Sequence, residues 1–130
     1  MLIVLGLLIL AAGPSINWLT YRQALDNHQH KPIMLYFWKP HCPQCDVLHK
    51  SFGDPKIVRF VNDNFVAASI NGDANPRLRD EYAVMTAPMI YFLRSDGAVC
   101  DCIVGPLSPD SLLEILKAVA TECGNQGGVT

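Results

Sequence analysis

Two cysteines separated by two residues, Cys42 and Cys45, are the side chains of this sequence best suited to chemistry. The thiolate form of cysteine attacks disulfides, but only a small fraction of a free cysteine is ionised at neutral pH. If Cys42 begins a helix, the unpaired backbone N–H groups and the helix dipole stabilise its anion. Cys45 then lies about one turn further along and can attack a mixed disulfide formed at Cys42. The spacing therefore predicts thiol–disulfide exchange, with Cys42 as nucleophile and Cys45 as resolving thiol.

The same spacing also forms half of many zinc sites, so a metal-binding module is the alternative interpretation. In that case Cys42 and Cys45, with His41 as a further candidate ligand, would hold copper or zinc without turnover, and two thiolates favour Cu(I). Exchange chemistry is favoured because an apolar stretch of strand length precedes the pair and a helical pattern follows it. Exchange needs no cofactor, and we assign no metal site.

The other three cysteines have no spacing with an established mechanism. Because the total of five is odd, at least one thiol must stay unpaired within a monomer. Cys100 and Cys102 lie two apart on a predicted strand, so both are expected to face one side of the sheet as buried free thiols. A metal site that joins them to the first pair is a weaker alternative. Cys123 is expected near the end of the last helix, where a surface thiol could link two chains.

Size and charge exclude several classes of protein. A chain of 130 residues suits one domain, and a content of 50% apolar and 17% charged residues excludes a disordered chain. The net charge of −2 and the absence of a basic run argue against a nucleic-acid partner. We expect a monomer. The remaining histidines are interpreted as solvated: His28, His30 and His49.

Residues 1–13 form an apolar run without a charged side chain. This is about half of the roughly 20 residues that span a bilayer, and Ala11-Ala12-Gly13 supplies small residues for signal peptidase. The usual basic segment before the apolar core is missing. The pattern predicts a signal peptide or an N-terminal anchor, and hence a periplasmic or secreted protein, which an uncleaved anchor would hold at the membrane. A buried first strand, or a start codon placed too late, is the alternative.

The apolar pattern beyond the leader predicts alternating helices and strands. Ser15 is expected to cap a helix in which Trp18, Tyr21 and Leu25 share a face. The run 33–38 is typical of a central strand, and the cysteine pair opens the next helix. The later predicted elements are a helix from Asp54-Pro55, a strand over 65–70, a helix from Asn75-Pro76, strands over 89–93 and 98–104 joined across Ser95-Asp96-Gly97, and a helix from Ser108-Pro109 to Gly124.

This order predicts an α/β fold with a mixed sheet and helices on both faces. The two strands around Ser95-Asp96-Gly97 must be antiparallel because a tight turn joins them. We expect one domain over residues 15–124, with a flexible polar tail over 125–130.

Over nearly all of residues 15–123 the chain resembles thioredoxins. The matching stretches are Phe37-Trp38 separated by three residues from Cys42-Pro43-Gln44-Cys45, Asn75-Pro76 followed by Tyr82 and Pro88, the turn at Asp96-Gly97, and the loop Gly105-Pro106-Leu107-Ser108. The stretch from Ser51 to Ile57 is similar to exported thioredoxin-like proteins, including the soluble C-terminal domain of the bacterial thiol:disulfide interchange protein.

The resemblance implies a thioredoxin fold with a C-terminal antiparallel hairpin and helix, and an oxidoreductase that acts on protein thiols and disulfides with a redox partner protein. It also implies that Pro88 is cis and that the backbone of Ala87 lies beside Cys42 to hold an extended substrate. Trp38 would either shape the substrate surface or belong to the core.

Two positions depart from the family pattern. Tyr36 stands where thioredoxins have a buried aspartate that is thought to accept the proton of the resolving cysteine, so the proton route is unassigned. His41 stands where tryptophan is usual. An imidazolium at that position would favour the Cys42 thiolate and raise the reduction potential, whereas a histidine that is merely solvated would do neither.

Overall fold

The computed structural model describes residues 14–124, which form a four-stranded sheet with helices on both faces. In chain order the elements are α1 (Tyr21–Asp26), β1 (Ile33–Trp38), α2 (Pro43–Ser51), α3 (Pro55–Asn64), β2 (Val66–Asn71), α4 (Pro76–Glu81), β3 (Met89–Leu93), β4 (Val99–Val104) and α5 (Pro109–Gly124). The strand order is β2-β1-β3-β4, with β1 parallel to β2 and antiparallel to β3. The predicted mixed sheet is confirmed, as is its antiparallel edge.

The central strand β1 is buried on both faces, which explains its unbroken apolar run. Met34 and Tyr36 face a core built with α2, α3 and α5. Leu35 and Phe37 face a second core that includes Ala24 of α1. Strand β1 is thereby fixed between two packed layers, and its carboxyl end holds the cysteine pair in a constant position.

The first helix begins later than predicted. Thr20, not Ser15, is its N-cap: the Thr20 side chain accepts from the N–H of Gln23, whose own side chain accepts from the Thr20 N–H. This reciprocal capping box sets the helix start. Trp18 therefore lies in an extended segment and packs against Tyr36 and Phe52, on the opposite face of the sheet from Tyr21.

The hairpin between β3 and β4 turns where the sequence predicts. Gly97 has φ of +92°, which a residue with a Cβ adopts with strain, and the Asp96 side chain accepts from the N–H of Ala98. The hairpin delivers β4 to the edge of the sheet, next to the last helix.

A second disulfide joins Cys100 of β4 to Cys123 of α5, so the prediction of free thiols at these two positions is wrong. The reason is an irregularity in the ladder: Phe92 pairs with Asp101 but Leu93 pairs with Val99, which leaves Cys100 as an extra residue. Cys100 consequently packs against the core that contains Cys123, while Cys102 pairs with Tyr91 and is a free, half-buried thiol. The expectation that Cys100 and Cys102 face one side is also wrong.

Within residues 14–124, no helix combines the length and apolar character that crossing a bilayer requires. The predicted leader over residues 1–13 and the predicted tail over residues 125–130 lie outside the described residues.

Candidate active site

The cysteine pair forms a disulfide at the first turn of α2. Cys42 is the N-cap, with extended backbone, and Pro43 occupies the first helical turn, where its missing N–H costs nothing. The N–H of Cys45 donates to Sγ of Cys42 over 3.2 Å. Reduction would leave this donor and the helix dipole directed at the Cys42 sulfur, which is the arrangement that lowers a thiol pKa.

The disulfide lies just beneath the surface. Cys42 and Cys45 are 5% and 4% exposed, while the flanking residues His41, Pro43 and Gln44 are exposed. The exposed surface next to the disulfide is therefore formed by the loop between β1 and α2 and by the first turn of α2.

The segment before β3 supplies the opposite wall. The Ala87–Pro88 peptide bond is cis, Pro88 is buried, and the carbonyl oxygen of Ala87 lies 3.9 Å from Sγ of Cys42. The carbonyl of Pro88 accepts from the N–H of Gly105 over 3.0 Å, which ties this segment to the end of β4. The fold thus brings together residues that are 45 positions apart in sequence.

A cavity of about 330 Å³ extends from this wall. Its lining includes Trp38 and Lys39 from the end of β1 and Met85, Thr86 and Ala87 from the segment before β3. Met85 is 90% exposed, so a large apolar side chain beside this cavity is free to contact a partner. Sequence reasoning did not select Met85, because an isolated methionine before a proline carries no pattern that marks it.

Trp38 lies between the core and the cavity. It is half-buried and packs against the core, and its Nε1–H donates to the Ser69 hydroxyl over 2.9 Å. Trp38 also lines the cavity beside Ala87. Because its indole is anchored to β2 by this hydrogen bond, it forms a fixed edge of the candidate substrate surface.

His41 is exposed and has φ of +53°, in the left-handed region. It directly precedes Cys42 and lines a second cavity, of about 270 Å³, together with Cys45. This location is compatible with a charge effect on the Cys42 sulfur.

Tyr36 is buried beneath the resolving cysteine, and its hydroxyl donates to the carbonyl oxygen of Cys45 over 3.4 Å. Burial, with a smaller contribution from the Asp46 carboxylate, raises the pKa of Tyr36 to about 12. Tyr36 therefore stays protonated at neutral pH. It fills the volume beneath Cys45 but cannot take up the proton of the Cys45 thiol.

Metal-ligating side chains cluster elsewhere. Over residues 14–124, the single group of three whose ligand atoms lie within 4.8 Å of one another is Cys100, Glu122 and Cys123, and its two sulfurs are joined in the second disulfide. His41 does not complete a three-ligand set with Cys42 and Cys45 within that part of the chain. The free thiol of Cys102 has a raised pKa, chiefly through burial, so it is a poor second nucleophile.

The fold and the disulfide at a helix start define a thioredoxin-fold protein with a redox-active cysteine pair. The family model of the thioredoxin-like domain matches residues 22–120, and the chain belongs to that family. The solution structure of a thioredoxin from Thermus thermophilus superposes with a TM-score of 0.76 and 28% identity, covering 87% of this chain and 93% of the other.

Other relatives agree with this assignment. A thioredoxin of Griffithsia pacifica is 24% identical over 90 residues, which are 69% of this chain and 80% of the relative. The thiol:disulfide interchange protein DsbD of Photorhabdus laumondii subsp. laumondii is 27% identical over 85 residues, which are 62% of this chain but 15% of that protein. The DsbH oxidoreductase shares the fold, with a TM-score of 0.72 at 18% identity over 85% of this chain and 88% of the other.

Proposed function

We propose that this protein catalyses thiol–disulfide exchange with protein substrates. The observation that carries the proposal is the position of the Cys42 sulfur. It accepts a hydrogen bond from the N–H of Cys45 at the start of α2 and lies 3.9 Å from the carbonyl oxygen of Ala87. The first contact favours a thiolate, and the second places a backbone acceptor where an extended substrate chain can pair.

In the reducing direction, the Cys42 thiolate attacks one sulfur of a substrate disulfide and releases the other as a thiolate. Cys45 then loses its proton and attacks Cys42, which forms the Cys42–Cys45 disulfide and frees the second substrate sulfur. The substrate gains two electrons and the cysteine pair loses two. A redox partner protein returns the pair to its starting state, and the reverse sequence oxidises a substrate.

The test is turbidity of insulin in dithiothreitol, which follows reduction of the insulin disulfides. The wild-type protein should accelerate precipitation, and Cys42→Ser should abolish the acceleration. Cys45→Ser should instead trap a mixed disulfide, which mass spectrometry detects. Stoichiometric copper or zinc in the purified protein, with no acceleration, would favour the metal-binding alternative. If the protein accelerates insulin reduction, its reduction potential, measured by equilibration with glutathione, would show whether it oxidises or reduces its substrates.

We further propose that the protein works outside the cytoplasm. Support comes from the disulfide between Cys100 and Cys123, because structural disulfides persist mainly in oxidising compartments. The uncharged apolar run over residues 1–13 is typical of a signal peptide core. Cell fractionation combined with mass spectrometry of the mature N-terminus tests this proposal. An intact Met1 on a cytoplasmic protein with Cys100 and Cys123 reduced would contradict it.

A further inference from the structure

The resolving cysteine needs a proton acceptor, and the buried tyrosine beneath it cannot be one. Cys45 is 4% exposed, so its thiol exchanges protons with solvent mainly through the cavity of about 270 Å³ that it lines. Besides Cys45, the titratable side chains around this cavity are Tyr36 of β1, Lys39 and His41 of the following loop, and Asp46 and His49 of α2.

Chemistry and geometry reduce these candidates. Tyr36 keeps its proton and directs it at the Cys45 carbonyl oxygen. The ammonium of Lys39 has no lone pair with which to accept a proton. Asp46 directly follows Cys45, so its side chain leaves the helix about 100° around the axis from that of Cys45. His41 precedes Cys42 and lies outside the helix.

His49 has the required position. It follows Cys45 by four residues within α2, so the two side chains lie on one helix face with Cβ atoms roughly 5–6 Å apart. Helical side chains lean toward the N-terminus, which directs the imidazole over the turn that contains Cys45. His49 is exposed and also lines the cavity, so it connects Cys45 to solvent. An imidazole takes up and releases protons near neutral pH.

We propose that His49 accepts the proton of the Cys45 thiol during resolution of the mixed disulfide, an inference that rests on the proposed exchange function. The S–H bond of Cys45 breaks and its proton passes to the imidazole, directly or through water in the cavity. The Cys45 thiolate attacks Cys42, the Cys42–substrate bond breaks, and the departing substrate thiolate takes a proton from the imidazolium or from solvent.

The experiment follows single-turnover reaction of the reduced protein with glutathione disulfide, quenched in acid and resolved by mass spectrometry between pH 5.5 and 8.5. With His49→Ala the glutathionylated intermediate should accumulate, because its resolution slows about 10²-fold at pH 6.5, the low end of general-base contributions. The defect should shrink as pH rises, because the Cys45 thiol then ionises without help. Free imidazole added to His49→Ala should restore the rate.

The matched control is His30→Ala, which removes an exposed histidine from the loop before β1, at the opposite end of that strand from the cysteine pair. Thermal unfolding of the oxidised variants checks that both are folded. Equal resolution rates for His49→Ala and wild type at every pH would overturn the proposal while leaving exchange itself intact. So would a defect found in Asp46→Asn but not in His49→Ala. A wild-type protein that forms no intermediate with glutathione disulfide and does not reduce insulin would overturn this proposal together with the proposed function.

Discussion

At the scale of single residues, one hydrogen bond acts on a sulfur of the cysteine pair and another acts on its backbone. The N–H of Cys45 acts on Cys42, and the Tyr36 hydroxyl acts on the backbone of Cys45. A tyrosine with a pKa of about 12 is neutral at working pH, so no fixed negative charge from position 36 opposes ionisation of either thiol. The proposed proton acceptor, His49, lies on the helix that carries the cysteines.

His41→Ala tests the charge effect on the nucleophile. If the imidazolium stabilises the Cys42 thiolate, the substitution raises the pKa of Cys42 and destabilises the reduced form. We expect the reduction potential to fall by about 10–30 mV, a two- to tenfold change in the exchange constant. Equilibration with glutathione measures the potential, and absorbance of the thiolate near 240 nm measures ionisation. A variant with an unchanged potential and thiolate titration would show that His41 is only solvated.

Met85→Ser tests the exposed apolar side chain at the cavity of about 330 Å³. Met85 is 90% exposed, so its side chain has apolar area to bury against a protein substrate. Loss of about 1 kcal/mol of binding corresponds to a roughly fivefold higher KM for insulin. The rate of reaction with glutathione disulfide should not change, because so small a disulfide does not need to contact Met85 when it reaches the cysteine pair. An equal loss with both substrates would indicate damage to the cysteine pair instead.

At the scale of elements, the extra residue in β4 decides how the last helix is attached. It turns Cys100 toward α5, and the resulting disulfide connects the sheet edge to a helix that otherwise packs through apolar contacts. The active-site segment before β3 is linked to the same region, because Gly105 donates to Pro88. The second disulfide therefore supports the frame around the site without reaching the reactive sulfurs.

Replacing both Cys100 and Cys123 by Ala measures this support. The cross-link closes a sequence separation of 23 residues, and restriction of the unfolded chain by a loop of this size is worth about 3 kcal/mol. We expect a lower free energy of unfolding by that amount in urea, with insulin reduction retained at temperatures where the variant is folded. Cys102→Ala is the control, because its thiol is unpaired. If the double variant unfolds at the wild-type urea concentration, the disulfide does not support the fold.

At the scale of the whole molecule, the burial of tyrosine side chains makes the stability of the fold depend on pH in the alkaline range. The pKa of Tyr36 is raised from 10.0 to about 12, and those of Tyr82 and Tyr91 are also raised, chiefly by burial in each case. Between pH 10 and 12 the Tyr36 hydroxyl is ionised in the unfolded chain but still protonated in the folded protein. The free energy of unfolding therefore falls as pH rises above 10, since the unfolded state binds fewer protons.

Tyr36→Phe isolates one part of this dependence. The shift of Tyr36 corresponds to roughly 3 kcal/mol lost between pH 10 and 12, at about 1.4 kcal/mol for each pKa unit. The variant should lose less stability than wild type over the range pH 9.5–11.5, measured by urea unfolding. Parallel curves for the two proteins would contradict the assignment of the raised pKa to Tyr36.

The sequence by itself determined the elements and the reactive pair, because both depend on local order. The strands and most helix starts follow from apolar periodicity, from proline after a capping residue and from the Asp96-Gly97 turn. Two cysteines at the start of a helix share one turn wherever that helix packs. The first helix begins at Thr20 rather than at Ser15 because Gln23 follows Thr20 by three residues and completes a reciprocal capping box, whereas Trp18 occupies that position after Ser15.

Only the tertiary structure decided what depends on distant pairing. One extra residue in a strand changes the face of the sheet to which the neighbouring side chains point. The disulfide partner of Cys100 could therefore not be predicted from its spacing to Cys102. The proximity of Ala87 to Cys42, the exposure of Met85 and the cavity shared by Cys45 and His49 arise where β1, α2 and the segment before β3 meet. Such contacts are set by the relative positions of whole elements, which local residue patterns do not specify.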